Sequence, residues 1–339
     1  MVKLKDLAAK TGYSVTTISR ALGGFSDVNE QTRQHIIETA RQLGYQPHEP
    51  ARQLRSQRTQ TIGLIIPAND QSFSNDFFNL LLRGIGDAAA SAGYDLLISA
   101  QTPGDHEMEA YRRFVGGGRV DGMVVARTRQ ADERIEYLKH MQHPFAVSGR
   151  SAPTEESHFP YIDADSQAGI RAATTHLIEL GHREIALLLP PPELAYTEYR
   201  RRGYAEALAN AGLPYRTDYV LHGDLLRSGG YALTDDLLNR FPEITGIVCA
   251  NDLMALGAMN AAQKRGLVVG HDLSITGFDD IPPAEFAHPA LTTVHQPVYE
   301  IGQRLLHMLV QLITRQTQPE TQILLPARLV VRESTGLRR

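Results

Sequence analysis

Asp6-Leu7-Ala8-Ala9-Lys10-Thr11-Gly12-Tyr13-Ser14-Val15-Thr16-Thr17-Ile18-Ser19-Arg20-Ala21-Leu22 spells two short helices around a tight turn. Leu4, Leu7 and Ala8 form one apolar stripe at helical spacing, and Val15, Ile18 and Leu22 a second. Ala8 is small where two helices must touch, Gly12 permits the turn, Ser14 is a good N-cap, and Ile18 points back into a mini-core. A third stripe, Ile36, Ile37, Ala40 and Leu43, stops at Gly44 and Pro47. This is helix-turn-helix spacing, and it leaves Val15, Thr16 and Arg20 on the outer face of the second helix. Arginine can bond O6 and N7 of guanine together, while Val and the Thr methyl suit a thymine methyl. Ser14, Thr17 and Ser19, with the amides of the helix start, suit phosphates. Spacing alone leaves a basic helical adaptor with a solvated Ser/Thr face as the alternative.

Charge supports the nucleic-acid reading only once the chain is divided. The 339 residues carry 34 Lys+Arg against 38 Asp+Glu, a net charge of −4, which excludes a chain basic along its whole length. Residues 1–60 hold nine basic and five acidic side chains, an excess of four, so the remainder carries −8. A basic head therefore precedes an acidic body. The single cysteine, Cys249, excludes an intramolecular disulfide and fits a reducing compartment. No signal peptide and no apolar run of membrane-spanning length is visible, so a soluble, cytoplasmic protein is expected, without membrane partners.

From residue 61 the pattern becomes strand–helix alternation. Apolar runs of strand length occur at 62–66, 95–99, 123–126, 145–147, 185–189, 247–250 and 274–277, with helical patterns at 77–92, 168–180, 203–211 and 253–265 between them. The expected fold class is an all-α helix-turn-helix head plus an α/β body of two doubly wound parallel-sheet lobes, broken near Pro160. The expected divisions are 1–47 for the DNA-binding domain, 48–60 for a polar linker and 61–339 for the body. Within the body, 61–159 with 291–320 are assigned to one lobe, and 160–290 with 321–339 to the other.

No catalytic constellation is found: there is no Gly-x-Ser-x-Gly elbow, His-Glu-x-x-His helix or Gly-Lys-Ser/Thr phosphate loop. Gly116-Gly117-Gly118 reads as a helix stop, and His140 and His143 lack partners for a metal. No enzyme activity, metal or cofactor is expected, and Cys249 reads as a buried, inert thiol. Ligands of open parallel sheets sit beyond the carboxyl ends of strands. That rule selects Asn69, Asp70, Arg127, Gly149, Arg150, Asn251, Asp252, Asp279 and Asp280, side chains suited to paired hydroxyls. Taken singly, each also suits a cap or surface role, and Asp252 reads as a helix N-cap.

Longer motifs add a resemblance. Lys5-Asp6-Leu7-Ala8, residues 14–22, Val28-Asn29-Glu30-Gln31-Thr32-Arg33 and Leu43-Gly44-Tyr45-Gln46-Pro47 closely resemble the head of the lactose/galactose repressor (LacI/GalR) family. The similarity continues through Ala51-Arg52-Gln53-Leu54-Arg55, Arg83-Gly84-Ile85, Val120-Asp121-Gly122, residues 176–183, residues 250–257, Gly277-Phe278-Asp279-Asp280-Ile281, His295-Gln296-Pro297 and Arg332-Glu333-Ser334-Thr335. It spans essentially the whole chain. Gly23 and His48 stand where the family often has Asn, and Pro50 is unusual in the linker.

The resemblance implies a three-helix head, a linker that orders as a hinge helix on DNA, and a body like a periplasmic sugar-binding protein. It places Leu54 where the family wedges a side chain between base pairs of the minor groove. It implies that Arg200 contacts the effector, that Asn251 and Asp279 bind hydroxyls, that Phe78 packs on the ligand, and that Leu225 takes a place often aromatic. The implied protein is a regulator, as a repressor, binding double-stranded operator DNA as a homodimer under control of a sugar or glycoside. With Arg332-Glu333-Ser334-Thr335 just before Arg339, a dimer without a C-terminal tetramerising helix is expected. Alternatives are a soluble sugar receptor without DNA activity, or a regulator with a non-sugar effector such as a nucleobase.

Overall fold

The computed structural model describes residues 2–23, 25, 27–45, 58–68, 76–153, 156–315 and 320–338. The chain divides into two compact units, 1–58 and 59–339. The linker assigned to 48–60, with Leu54, lies almost wholly outside the described residues, as does Asn69.

The first unit is three helices, α1 (Leu4–Thr11), α2 (Val15–Leu22) and α3 (Glu30–Gln42). Leu7, Ile18, Ala21, Val28, Ile36 and Ala40 close its core. The Lys3 N–H donates to the Asp6 carboxylate at 2.7 Å, which anchors the start of α1. Gly12 ends that helix at φ 76°, a left-handed conformation that glycine adopts without steric cost. The Ser14 hydroxyl then caps α2 by accepting from the Thr17 N–H at 3.0 Å.

The second unit begins with β1 (Thr61–Pro67), α4 (Asp76–Ala92), β2 (Asp95–Gln101) and α5 (Asp105–Tyr111). After α5 the helix widens over Arg112–Gly116 and stops at the glycine run, with Gly118 at φ 57°. There follow β3 (Gly122–Ala126), α6 (Glu133–His140), β4 (Phe145–Ser148), β5 (Tyr161–Ala164), α7 (Ser166–Glu179) and β6 (Ile185–Leu189). Next come α8 (Tyr196–Asn210), β7 (Val220–His222), α9 (Arg227–Arg240), β8 (Gly246–Cys249), α10 (Asp252–Lys264) and β9 (Ser274–Thr276). The chain closes with α11 (Pro282–Glu285), β10 (Thr293–His295), α12 (Val298–Thr314), β11 (Gln322–Leu325) and β12 (Arg328–Val330).

Two parallel sheets organise these elements, in the orders β11-β5-β4-β3-β1-β2 and β7-β6-β8-β9. Apolar side chains from helices cover both faces of each sheet, which is why β3, β6 and β8 are buried along their whole length. The third pairing, β10 with β12, is antiparallel.

The expected lobe division is corrected here. Tyr161 pairs with Gln322 and Val147 with Tyr161, so 161–164 and 322–325 belong to the first sheet. The segment 292–295, assigned to the first lobe, instead bridges Thr276 and Asp279 of the second. The chain therefore crosses between lobes after β5, after β10 and after β11. Three separate crossings make a hinge of several strands rather than a single linker. Among the described residues no helix is long and apolar enough to cross a membrane.

Candidate functional site

The outer face of α2 carries the residues singled out for DNA. Ser14, Val15 and Thr16 are exposed, Thr17, Ser19 and Arg20 are half-buried, and Ile18 is fully buried. Ser14 and Thr17 also share a hydroxyl–hydroxyl hydrogen bond of 2.9 Å. Arg20 Nη2 pairs with Asp27 at 2.5 Å and its guanidinium lies 5.0 Å from the centre of the Phe25 ring.

The second candidate is a pocket between the lobes of the body, with a cavity volume of about 70 Å³. Its polar lining includes Arg127, Asp163, Arg200, Asn251, Asp279 and Gln296, and Phe77 and Tyr196 contribute aromatic rings. Each sits at the end of a strand or the start of a helix, as the strand-end rule requires. Among the described residues, no three His, Cys, Asp or Glu side chains are grouped to hold a metal ion.

Arg200 is buried on the first turns of α8, between the rings of Tyr196 at 4.6 Å and Phe278 at 4.1 Å. Its Nη1 donates to the Ala250 carbonyl, while its Nε is buried with no hydrogen-bond partner among the described residues. An unmatched buried donor of a charged group is costly unless a ligand satisfies it. Arg127 follows β3 at φ 54°, a left-handed conformation unusual for arginine. The fully buried Arg134 holds that turn by donating to the Arg127 and Ala126 carbonyls, and is itself paired with Asp132 and Glu107.

Asp279 stands at φ 116° and accepts from the Gln296 amide at 2.5 Å. Asp163, at the end of β5, accepts from Arg150 Nε at 3.0 Å and from the Ala164 N–H. Burial pushes both carboxyls up to about 6, against the pull of Arg150 on Asp163 and of Arg200 on Asp279. Asn251 Oδ1 accepts from the Met254 N–H and its Nδ2 donates to the Leu225 carbonyl, both at 3.0 Å. Leu225 is thereby fixed at φ 67° in the pocket wall.

The loops at one edge of the pocket join across the lobes. The Ala195 N–H donates to the Thr128 carbonyl, and the Gln130 N–H to the Glu193 carbonyl, each at 2.9 Å. The Gln130 side chain adds a bond to the Pro192 carbonyl.

Of the effector residues read from the sequence, Arg127, Arg200, Leu225, Asn251 and Asp279 line this one pocket. Phe78 does not. It lies in the core of the first lobe at 1% exposure, 4.7 Å beneath the Arg127 guanidinium, and the neighbouring Phe77 faces the pocket. Asp252 is not the cap of α10, because Asn251 is. It is fully buried, accepts from Thr293 and from the Ile281 N–H, and its carboxyl is pushed well up by that burial. Phe77, Asp163, Tyr196 and Gln296 were missed. Gln296 belongs to the His295-Gln296-Pro297 motif, and Asp163 follows from the strand-end rule once β5 is seen as a strand.

Comparison with known proteins accords with this layout. A family described as "Bacterial regulatory proteins, lacI family" matches residues 3–48, and a "Periplasmic binding protein-like domain" matches residues 174–335. The HTH-type transcriptional regulator AglR of Rhizobium meliloti (strain 1021) is 35% identical over 99% of this chain and 94% of its own length. The chain belongs to the LacI family.

Among solved structures, the transcriptional regulator CelR–cellobiose complex superimposes with a TM-score of 0.77 at 31% identity, covering 98% of this chain and all of that one. The Lac repressor dimer bound to operator and the anti-inducer ONPF gives 0.86 at 27% identity, covering 99% of each chain. This LacI-family chain is thus a DNA-binding transcriptional regulator, not an enzyme.

Proposed function

We propose that the chain is a homodimeric, cytoplasmic repressor whose affinity for a near-palindromic operator is set by a neutral sugar or glycoside held between the lobes. The observation that carries the effector class is the pocket lining. Two arginines are balanced by two aspartates, Asn251 and Gln296 add amides, and Phe77 and Tyr196 add aromatic surface. Alternating planar donors and acceptors suit vicinal hydroxyls, and the balanced charge gives no excess attraction to an anion. That CelR is solved with cellobiose, and the Lac repressor as a dimer on operator, supports the reading by kinship.

In this reading Val15, Thr16 and Arg20 meet base edges, and Ser14, Thr17 and Ser19 meet phosphates. Leu54 enters the minor groove. Arg127, Arg200, Asn251, Asp279 and Gln296 grip the effector, with Asn69 assigned to the same site from sequence alone. Effector binding biases lobe closure and thereby the DNA-competent state, which requires unequal affinity for the two states. The test pairs a thermal-shift screen of mono- and disaccharides with a mobility shift on DNA selected by the protein. A sugar that raises stability and changes the shift is expected. A nucleobase doing so in place of any sugar overturns the effector class, and the absence of any salt-sensitive, sequence-selective shift overturns the regulator reading.

A further inference from the structure

We propose that Asp27 is a positioning residue for base readout: it holds Arg20 in the recognition face and cancels its charge, so that Arg20 discriminates bases rather than clinging to phosphates. The inference rests on the assignment of Arg20 to base contact. Asp27 lies outside the recognition helix, in the loop that follows α2, and nothing in the helix-turn-helix spacing selects it.

The geometry is built rather than incidental. Arg20 Nη2 meets the Asp27 carboxylate at 2.5 Å, and Phe25 covers the guanidinium at 5.0 Å. The loop that carries both partners is braced on each side. The Phe25 N–H donates to the Arg20 carbonyl at 3.2 Å, and Arg33 Nη2 donates to the Phe25 carbonyl at 2.6 Å. Val28, next to Asp27, is sunk in the core of the head. The described residues on either side of Asp27 are therefore anchored, Phe25 by hydrogen bonds and Val28 by burial.

Two consequences follow from elementary chemistry. An unpaired arginine at a groove mouth is drawn to phosphates on every sequence, through counterion release that carries no base information. Pairing it with Asp27 removes that net charge locally. A guanidinium has five N–H donors in a rigid fork, so one nitrogen given to a carboxylate leaves donors for a base edge. A long side chain already ordered by a ring and a carboxylate also loses less freedom when it docks. Both effects raise the ratio of specific to non-specific binding, even though a carboxylate near DNA lowers total attraction.

The test is selection of bound duplexes from a randomised pool by the full chain, with sequencing to give base preference at each position. Arg20→Ala should erase preference at one position per half-site. Asp27→Asn should weaken preference at that same position by about two- to fivefold, the upper range of a surface ion pair. It should spare the other positions and tighten binding to a scrambled duplex. Asp27→Glu should restore most of the preference. An unchanged preference at that position in Asp27→Asn, or an equal loss at all positions, overturns the role of Asp27 alone. If Arg20→Ala alters no position, the base-reading assignment of Arg20 falls, and the proposal with it.

Discussion

Arg200 reaches from α8 across to the carbonyl of Ala250, the residue that follows β8, and so ties that helix to the end of the strand. The Nε left unmatched by that contact is the donor a ligand is expected to meet. Arg200→Ala should weaken effector binding by about 1.5–3 kcal/mol, the range for hydrogen bonds to charged groups. Operator binding without effector should be retained. Titration calorimetry with the sugar found by thermal shift, alongside mobility shift, reads both quantities. A normal effector response in this variant would remove Arg200 from the site.

The two cleft carboxyls give the effector response a defined pH dependence. Asp163 and Asp279 titrate at about 6 in the fold, against about 3.9 for an aspartate in an unfolded chain. Between those values the folded state holds protons that the unfolded state has released. Their contribution to stability therefore falls as pH rises from about 4 to about 6, and is level above that. Effector affinity should move the opposite way, because the ionised carboxylate is the better acceptor for hydroxyls. Asp279→Asn should flatten the affinity profile across this window, and a profile of unaltered shape would show that Asp279 does not touch the ligand.

Asn251 serves the fold and the pocket at once. It caps α10 through Oδ1 and anchors the Leu225 turn through Nδ2. Asn251→Ala should lower unfolding free energy by about 0.5–2 kcal/mol from the lost cap alone, and should weaken the effector as well. Asn251→Asp keeps an acceptor for Met254 but loses the donor to Leu225. It should recover much of the stability and little of the affinity, a split that denaturant titration and calorimetry separate.

Adjacent phenylalanines on α4 have opposite assignments. Phe78→Ala should destabilise the body by about 3–5 kcal/mol, as expected for a fully buried aromatic. Phe77→Ala should cost less stability and more effector affinity, since its ring lines the pocket. Reversal of these two outcomes would exchange the roles of the rings.

Much of the fold is legible because it is local. The stripes of α1 to α3, the Ser14 cap and the strands at 62–66, 123–126 and 185–189 all rest on periodicity within a few residues. What escaped is what depends on distant partners. β5 is four residues long, and its place in the first sheet is set by β4 and by Gln322, about 160 residues away. Pro160 therefore read as a lobe boundary when it is the entry to an interior strand. That single misplacement also hid Asp163. The confusion of Phe78 with Phe77 has a similar cause: one step along a helix turns a side chain by about 100°, and sequence alone does not fix the rotation of α4.

The bonds that join the lobe edges, from Ala195 to Thr128 and from Gln130 to Glu193, run between main-chain atoms. Side-chain exchange does not delete such bonds, unless proline is introduced or the turn is distorted. The contact between lobe edges is thus carried by main chain, and the pocket wall beside it, at Arg127 and Tyr196, by side chains. Side-chain substitutions in the pocket wall, at Phe77, Arg127 or Leu225, can therefore change its chemistry while these main-chain bonds remain. A chain built this way can acquire a new chemical input without rebuilding its output.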